Sequence, residues 1–160
     1  MKLIAACLTA VCLYISAPGA YADSGKVEYP EGYRQWVHIK SMLLEPGHPL
    51  ENPFQGLHHV YGNKNALKGF ENGSFPDGSV LVFDLLQYSR GGHAIQEGER
   101  KLIGVMKKDS MAFSATGGWG FEAFPKNSKK DRIVKDGGKS CFQCHTSQRE
   151  HDFVFSRLRK

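Results

Sequence analysis

Long apolar runs are absent from this sequence after its first residues. The apolar run of residues 3–16 is shorter than the roughly 20 residues that a membrane-spanning helix needs. Residues 20–22, Ala-Tyr-Ala, then give the small-x-small pattern of a signal-peptidase site. We therefore predict a signal peptide over residues 1–22, cleaved after Ala22, and one domain over residues 23–160. A retained membrane anchor is the alternative.

Cysteine is also scarce. The chain has four cysteines, of which Cys7 and Cys12 lie within the predicted signal peptide. Cys141 and Cys144 remain, and two cysteines separated by two residues cannot cross-link distant parts of a fold. Export implies a periplasmic protein, in a compartment where thiols tend to oxidise. The remaining pair is therefore expected to form a local disulfide, part of a metal site, or thioether bonds.

Charge of one sign is in only modest excess. The chain carries 21 Lys and Arg residues against 16 Asp and Glu residues, and removing Lys2 with the signal peptide leaves 20 against 16, a net charge of +4. Basic residues cluster in residues 126–139, a run with no interleaved aromatic residues to stack on bases. We therefore predict that this run is a solvated loop and that the protein has no nucleic-acid partner.

The most informative motif lies close to the C-terminus. Cys141, Cys144 and His145 form a Cys-x-x-Cys-His sequence, by which c-type haem is attached through two thioethers and a histidine ligand to the iron. A zinc site would need two further ligands, and His58 and His59 face opposite ways if they lie on a strand. A thioredoxin-like redox pair would need a βαβ context, which the sequence lacks. The motif therefore predicts one covalent haem c.

Short strand patterns separated by turn residues run through the middle of the chain. Strands are predicted at residues 37–42, 56–63, 80–88, 100–110 and 117–125, a short helix at 63–73 and a helical turn at 29–36. Turn signals between short strands favour antiparallel pairing. We therefore predict an α+β fold, a largely antiparallel β-sheet with short helices, across which the haem motif packs.

The second axial position of the haem iron is open to several side chains. Met42, Met106 and Met111 would suit an electron carrier, but none follows the haem motif, where electron-carrier cytochromes usually supply this ligand. Core packing is the more frequent role of methionine. Histidines are also available, namely His38, His48, His58, His59, His93 and His151. An iron with an open distal side is the leading interpretation.

The order of these motifs resembles the family of cytochrome P-460 and cytochrome c′-beta. The matching segments are YRQWVHIKSM, GLHHVYGN, NGSFPDGSV, GGWGFEAF, CFQCH and DFVFSR, which span nearly all of the chain after the predicted signal peptide. The resemblance implies a largely antiparallel β-sheet protein, commonly a homodimer, that holds one c-type haem. It also implies a proximal histidine, here His145, and a vacant distal side.

That family has two functional branches. In cytochrome P-460 a lysine before the segment resembling GSFPDG is cross-linked to the haem, and the protein oxidises hydroxylamine with a distal carboxylate, for which Glu122 is the candidate here. In cytochrome c′-beta the cross-link is absent, and distal phenylalanines cap a site for nitric oxide and carbon monoxide. Residues 70–73 stand where the lysine is expected, the nearest lysine, Lys68, is displaced, and Phe54 and Phe83 match the two distal phenylalanines.

The resemblance is therefore closer to cytochrome c′-beta. We expect an exported mono-haem cytochrome that binds nitric oxide and carbon monoxide for scavenging, storage or sensing. A hydroxylamine-oxidising enzyme is the first alternative. An electron-transfer cytochrome c is the second, and in each case the sequence does not identify the redox partner.

Overall fold

Five antiparallel strands form the centre of the protein. The computed structural model describes residues 25–159, so the predicted signal peptide lies outside the described residues. The strands are β1 Val37–Leu44, β2 Gly56–Gly62, β3 Val80–Gly91, β4 Ala94–Lys108 and β5 Trp119–Pro125, paired in the order β1-β2-β3-β4-β5. Three α-helices accompany them, α1 Glu51–Phe54, α2 Lys64–Asn72 and α3 Lys139–His145, with 3-10 turns at Tyr33–Gln35, Ser114–Thr116 and Thr146–His151. The predicted α+β fold is confirmed.

Side chains of the sheet alternate between two faces of different character. The face covered by the N-terminal segment, here called the N-terminal face, has a buried apolar cluster: Val27, Tyr33, Val82, Ile103, Val105 and Phe124. On the opposite face, here called the site face, Phe83, Gly104 and Ala123 lie directly across from one another in β3, β4 and β5. These three residues are only half-buried. The centre of the sheet is therefore an accessible, apolar surface on one side alone.

Helix α2 covers one end of the site face. Its N-terminus is capped by Asn63, whose side chain accepts a hydrogen bond from the backbone of Ala66, and it ends at Gly73 in the left-handed conformation. Gly69 packs so closely that a Cβ there would lie 2.2 Å from the Phe75 ring. The cluster beneath this end consists of Ala66, Phe75, Leu81, Trp119, Phe121 and Val154.

A buried carboxylate fixes β3 from the N-terminal face. Asp84 is fully buried and accepts hydrogen bonds from the Tyr33 hydroxyl at 2.6 Å and from Arg100 Nε at 2.7 Å. Burial opposes ionisation of Asp84, but its partners, Arg100 first, outweigh that and hold its pKa below the usual value. Asp84 follows Phe83, so this network also fixes the strand that presents Phe83.

None of the helices in residues 25–159 has the length and apolar character to cross a bilayer.

Candidate functional site

The Cys-x-x-Cys-His motif forms helix α3, which packs against β5. Gly138 precedes this helix with a positive φ of 84°, and a Cβ there would lie 3.0 Å from the Cβ of Phe121. Glycine therefore allows the helix to begin close to the sheet. Cys141, Cys144 and His145 stand at positions i, i+3 and i+4, which share one face of a helix. Both thiols and the imidazole thus project to the same side.

The imidazole of His145 is held in one orientation by its surroundings. Its Nδ1 atom lies 2.7 Å from the carbonyl oxygen of Phe153, and its ring centroid lies 5.1 Å from that of Phe121 and 5.0 Å from that of Phe155. Because a carbonyl only accepts, Nδ1 carries the proton and Nε2 keeps its lone pair for a metal. Burial lowers the pKa of His145, against a smaller opposing effect of the Phe153 hydrogen bond. The ring is therefore ready to ligate iron as a neutral imidazole.

The two cysteines differ in exposure but are both free thiols. Cys141 is half-buried against the cluster below α2, whereas Cys144 is exposed. Burial raises the pKa of the Cys141 thiol. Across residues 25–159, His, Cys, Asp and Glu side chains form no cluster of three suited to a metal ion. The donor set of α3 is thus two thiols and one imidazole, which is the set that covalent haem attachment uses.

The two phenylalanines singled out from the sequence are in contact. Their ring centroids lie 5.8 Å apart with an interplanar angle of 84°, an edge-to-face arrangement. Phe83 comes from the site face of β3, and Phe54 ends α1. The Lys101 ammonium donates to the carbonyl oxygens of Gln55 at 2.5 Å and Pro53 at 3.3 Å. Lys101 therefore fastens the segment that presents Phe54 onto β4.

Small residues form the sheet surface beside this aromatic pair. Gly104 lies directly opposite Phe83, and a Cβ added there would make only ordinary contact, 3.5 Å from the Phe83 Cβ. Ala123 is the next residue across, and Phe121, two positions earlier in β5, stacks near His145. The site face thus carries only small apolar residues next to the phenylalanines, and the imidazole of His145 lies nearby. These residues fit a planar apolar macrocycle bound through α3.

Glu122 lies on the opposite face of the sheet from Phe121. Its carboxylate accepts from Arg132 Nη1 at 3.0 Å and from the backbone N–H groups of Val134 and Ala123. The structure therefore brings Phe54 and Phe83 together on the site face but does not bring Glu122 to them. The carboxylate is engaged in an ion pair with the segment that follows β5.

The lysines nearest the expected cross-link lie on the outer side of α2. Lys64 and Lys68 are exposed, whereas Ala66 and Gly69 form the buried side of the helix. A lysine joined to the haem edge would have to approach the site face. Neither lysine does so.

The methionines occupy three different environments. Met111 is 88% exposed, Met106 packs beside Phe121 in the α2 cluster, and Met42 lies at the edge of the sheet, opposite His58.

Among the six candidate histidines, His58 has a distinctive position that the sequence did not single out. Its ring is buried, with its centroid 4.5 Å from that of Phe83. By contrast, His59 faces the other way and bonds to Glu97 at 2.6 Å. Strand alternation predicts that His58 and His59 face opposite sides of the sheet. Only the pairing of β2 with β3 shows which one meets the phenylalanine.

A basic cavity of about 320 Å³ opens between β1 and the C-terminal tail. It is lined by Lys40, Ser41, Phe155, Arg157 and Arg159. Phe155 also packs edge to face against His145, so the cavity borders the candidate site. Its cationic side chains could form ion pairs with carboxylates.

The cytochrome P-460 family matches residues 30–156 of the chain. The matched segment contains all five strands and helix α3 with its motif. No curated protein gives a significant match.

Proposed function

The chain belongs to the cytochrome P-460 family, a family of haem proteins, and we propose that it is a mono-haem c-type cytochrome that binds nitric oxide and carbon monoxide. One observation carries the proposal. Phe54 and Phe83 form an aromatic pair on the sheet face to which α3 also brings His145. An apolar cap beside an imidazole ligand favours small apolar gases over polar ligands.

Each side chain of the site would have a different role in holding the cofactor. Cys141 and Cys144 would attach the haem, which supplies an iron able to bind diatomic gases. His145 would ligate that iron from the proximal side. Phe54 and Phe83 would exclude water, since burying unpaired water hydrogens among rings costs roughly 1–3 kcal/mol on mutational scales. The cations of the basic cavity offer counter-charge to the haem propionates.

Two placements support gas binding over hydroxylamine oxidation. The rival function needs a lysine at the haem edge and a distal proton acceptor. Lys64 and Lys68 lie on the exposed side of α2, and Glu122 is ion-paired with Arg132 on the N-terminal face. We therefore propose the cytochrome c′-beta branch, acting in scavenging, storage or sensing of nitric oxide.

The cellular setting is part of the same proposal. The signal-peptide pattern of residues 1–22 supports export to the periplasm, where thiols tend to oxidise and thioether bonds to a c-type haem would keep Cys141 and Cys144 from doing so. The family resemblance supports a homodimer. A redox partner would be needed to reduce the iron again after oxidation.

The optical spectrum tests the proposed function. The ferric and ferrous proteins are expected to be high-spin, and the ferrous protein is expected to bind nitric oxide and carbon monoxide. Single changes of Met42, Met106 or Met111 to leucine should leave both spectra nearly unchanged, because none of these side chains is a ligand. A low-spin parent spectrum that one of these changes converts to high spin would instead identify an electron carrier.

Haem-peptide mapping tests the choice of branch. After proteolysis, mass spectrometry is expected to find haem only on the peptide that contains Cys141 and Cys144, because the α2 lysines face solvent. A Lys68→Arg variant should give the same map and the same spectrum. Haem on a peptide containing Lys64 or Lys68 would favour the enzyme.

A further inference from the structure

Two consecutive residues of the C-terminal tail, Asp152 and Phe153, adopt left-handed backbone conformations. Their φ angles are 50° and 64°. Aspartate tolerates this region because its short polar side chain can bond locally, whereas a bulky residue such as phenylalanine is rarely found there. Such conformations persist only where the surrounding structure imposes them, and they cluster at functional sites. The strained pair comes directly after the 3-10 turn that follows α3, so it lies close to His145.

The strained turn directs one carbonyl group to the proximal histidine. The carbonyl oxygen of Phe153 accepts the hydrogen bond from His145 Nδ1 at 2.7 Å. The N–H of Phe153 donates to the carbonyl of Gln148 at 2.8 Å, and Val154, the next residue, is 2% exposed. Since the dihedral angles on either side of a peptide plane fix its orientation, the left-handed conformation of Phe153 determines where its carbonyl points.

Asp152 is bonded to three other parts of the protein. Its carboxylate accepts from Lys108 Nζ at 2.6 Å and from the N–H of Phe75 at 2.8 Å, and its carbonyl accepts from the Trp119 indole N–H at 2.9 Å. The ion pair is mostly buried, with the Lys108 and Asp152 side chains 12% and 14% exposed. The end of β4, the start of β5 and the segment before β3 therefore all hold the turn.

Lys108 is itself fixed by its neighbours. Its ammonium also donates to the carbonyl of Gly117 at 3.1 Å and lies 5.0 Å from the centroid of the Trp119 ring. Removing one partner of a buried ion pair leaves the other charge without compensation. Lys108 and Asp152 are therefore expected to act as a unit.

We propose that Asp152, held by Lys108, is a positioning residue for the proximal histidine. It keeps the Phe153 carbonyl against His145 Nδ1 and thereby sets how strongly Nε2 of the same ring binds iron. This inference rests on the proposed haem site, in which His145 is the proximal ligand. It assigns a role on the proximal side to a carboxylate and an ammonium that do not ligate the metal.

The hydrogen bond at Nδ1 acts on the other nitrogen of the ring. A ligating imidazole that donates its second N–H to a carbonyl is fixed in orientation and becomes a more basic ligand. A more basic imidazole binds iron more strongly and stabilises the ferric state relative to the ferrous state. Displacing the Phe153 carbonyl should therefore weaken the bond from His145 to iron and raise the midpoint potential.

Resonance Raman spectra and redox titrations of the haem-loaded protein test the proposal. Asp152→Gly accepts a left-handed backbone but loses the side-chain bonds, and Lys108→Met removes the ammonium. Both are expected to lower the frequency of the ferrous iron–histidine stretching band. The midpoint potential should rise by about 59 mV, which corresponds to a tenfold shift of a one-electron equilibrium, the lower end of the effect of losing an outer-shell partner. Lys108→Arg, which keeps a cationic donor, should remain close to the unmodified protein.

Asp77→Asn is the matched control, because the Asp77 carboxylate also accepts from a backbone N–H and a side-chain donor, both of Ser110 in the loop after β4. It should leave the band and the potential unchanged. Thermal unfolding is recorded for every variant. A lower melting temperature with an unmoved band in Asp152→Gly and Lys108→Met would overturn the proposal, and so would an equal displacement in Asp77→Asn.

Two further features keep the outcome decisive. If Asp152→Gly does not accumulate, Lys108→Met decides alone, since it leaves the sequence of the tail unchanged. An unmodified protein without an iron–histidine band would overturn the proposed haem site itself, whereas a band that neither variant moves overturns only the role of Asp152.

Discussion

Acid–acetone extraction is expected to leave the haem on the unmodified polypeptide and to remove it from a Cys141→Ala, Cys144→Ala double variant. Acid would protonate His145 and break a bond between it and iron, but it does not cleave thioethers. Both thiols lie on the same side of α3, so both can reach one macrocycle. The measurement is the haem absorbance of the precipitated protein against that of the solvent.

Single cysteine variants give the matched control for this experiment. Cys141→Ala and Cys144→Ala each keep one thiol, and each is expected to retain haem through a single thioether. Cys7 and Cys12 lie in the predicted signal peptide and offer no replacement in the mature chain. Haem lost intact to the solvent from the unmodified protein would contradict covalent attachment and with it the assignment of α3.

The five strands are predictable because turn residues separate short β-branched and aromatic runs. The predicted helix at residues 63–73 matches α2, since its Asn63 cap and Gly73 terminus are local signals. The hairpin that extends β3 and β4 beyond Ser89 is not predictable in this way. Its side chains are exposed, and backbone hydrogen bonds pair the strands without an apolar alternation.

The candidate site is predictable in chemistry but only partly in geometry. The Cys-x-x-Cys-His motif predicts the haem donors, yet the hydrogen bond that orients His145 is accepted by the carbonyl oxygen of Phe153, which lies in the tail. Strand alternation separates Phe121 from Glu122 but does not decide which face would meet a haem. Packing of α3 on Phe121 favours the site face, and that is a tertiary contact. The contact between His58 and Phe83 depends likewise on strand register.

The aromatic cap formed by Phe54 and Phe83 is expected to limit the rate of ligand entry. Phe54→Val or Phe83→Val is expected to speed the entry of nitric oxide and carbon monoxide at least tenfold, a fall of about 1.4 kcal/mol in the barrier. Each change removes one of two rings packed edge to face, and the partner ring then loses its support. Stopped-flow and flash-photolysis rates on the ferrous protein measure this directly.

Phe70→Val is the matched control, because Phe70 packs in the α2 cluster rather than in the cap. It should reduce stability without changing ligand entry. Lys101→Met tests the cap without removing either ring. Losing the hydrogen bonds to Pro53 and Gln55 should loosen the Phe54 segment and raise the same rates, by less than removal of the ring.

Glu122→Ala separates the two branches of the family in the same assays. Glu122 is bonded to Arg132 and two backbone N–H groups, so its removal should cost about 1–3 kcal/mol of stability by leaving those donors unpaired. Ligand entry rates should stay as in the unmodified protein, because the carboxylate lies on the N-terminal face. If neither phenylalanine variant alters entry while Glu122→Ala abolishes hydroxylamine turnover, the protein is an enzyme of the cytochrome P-460 branch. The aromatic pair would then be only part of the core.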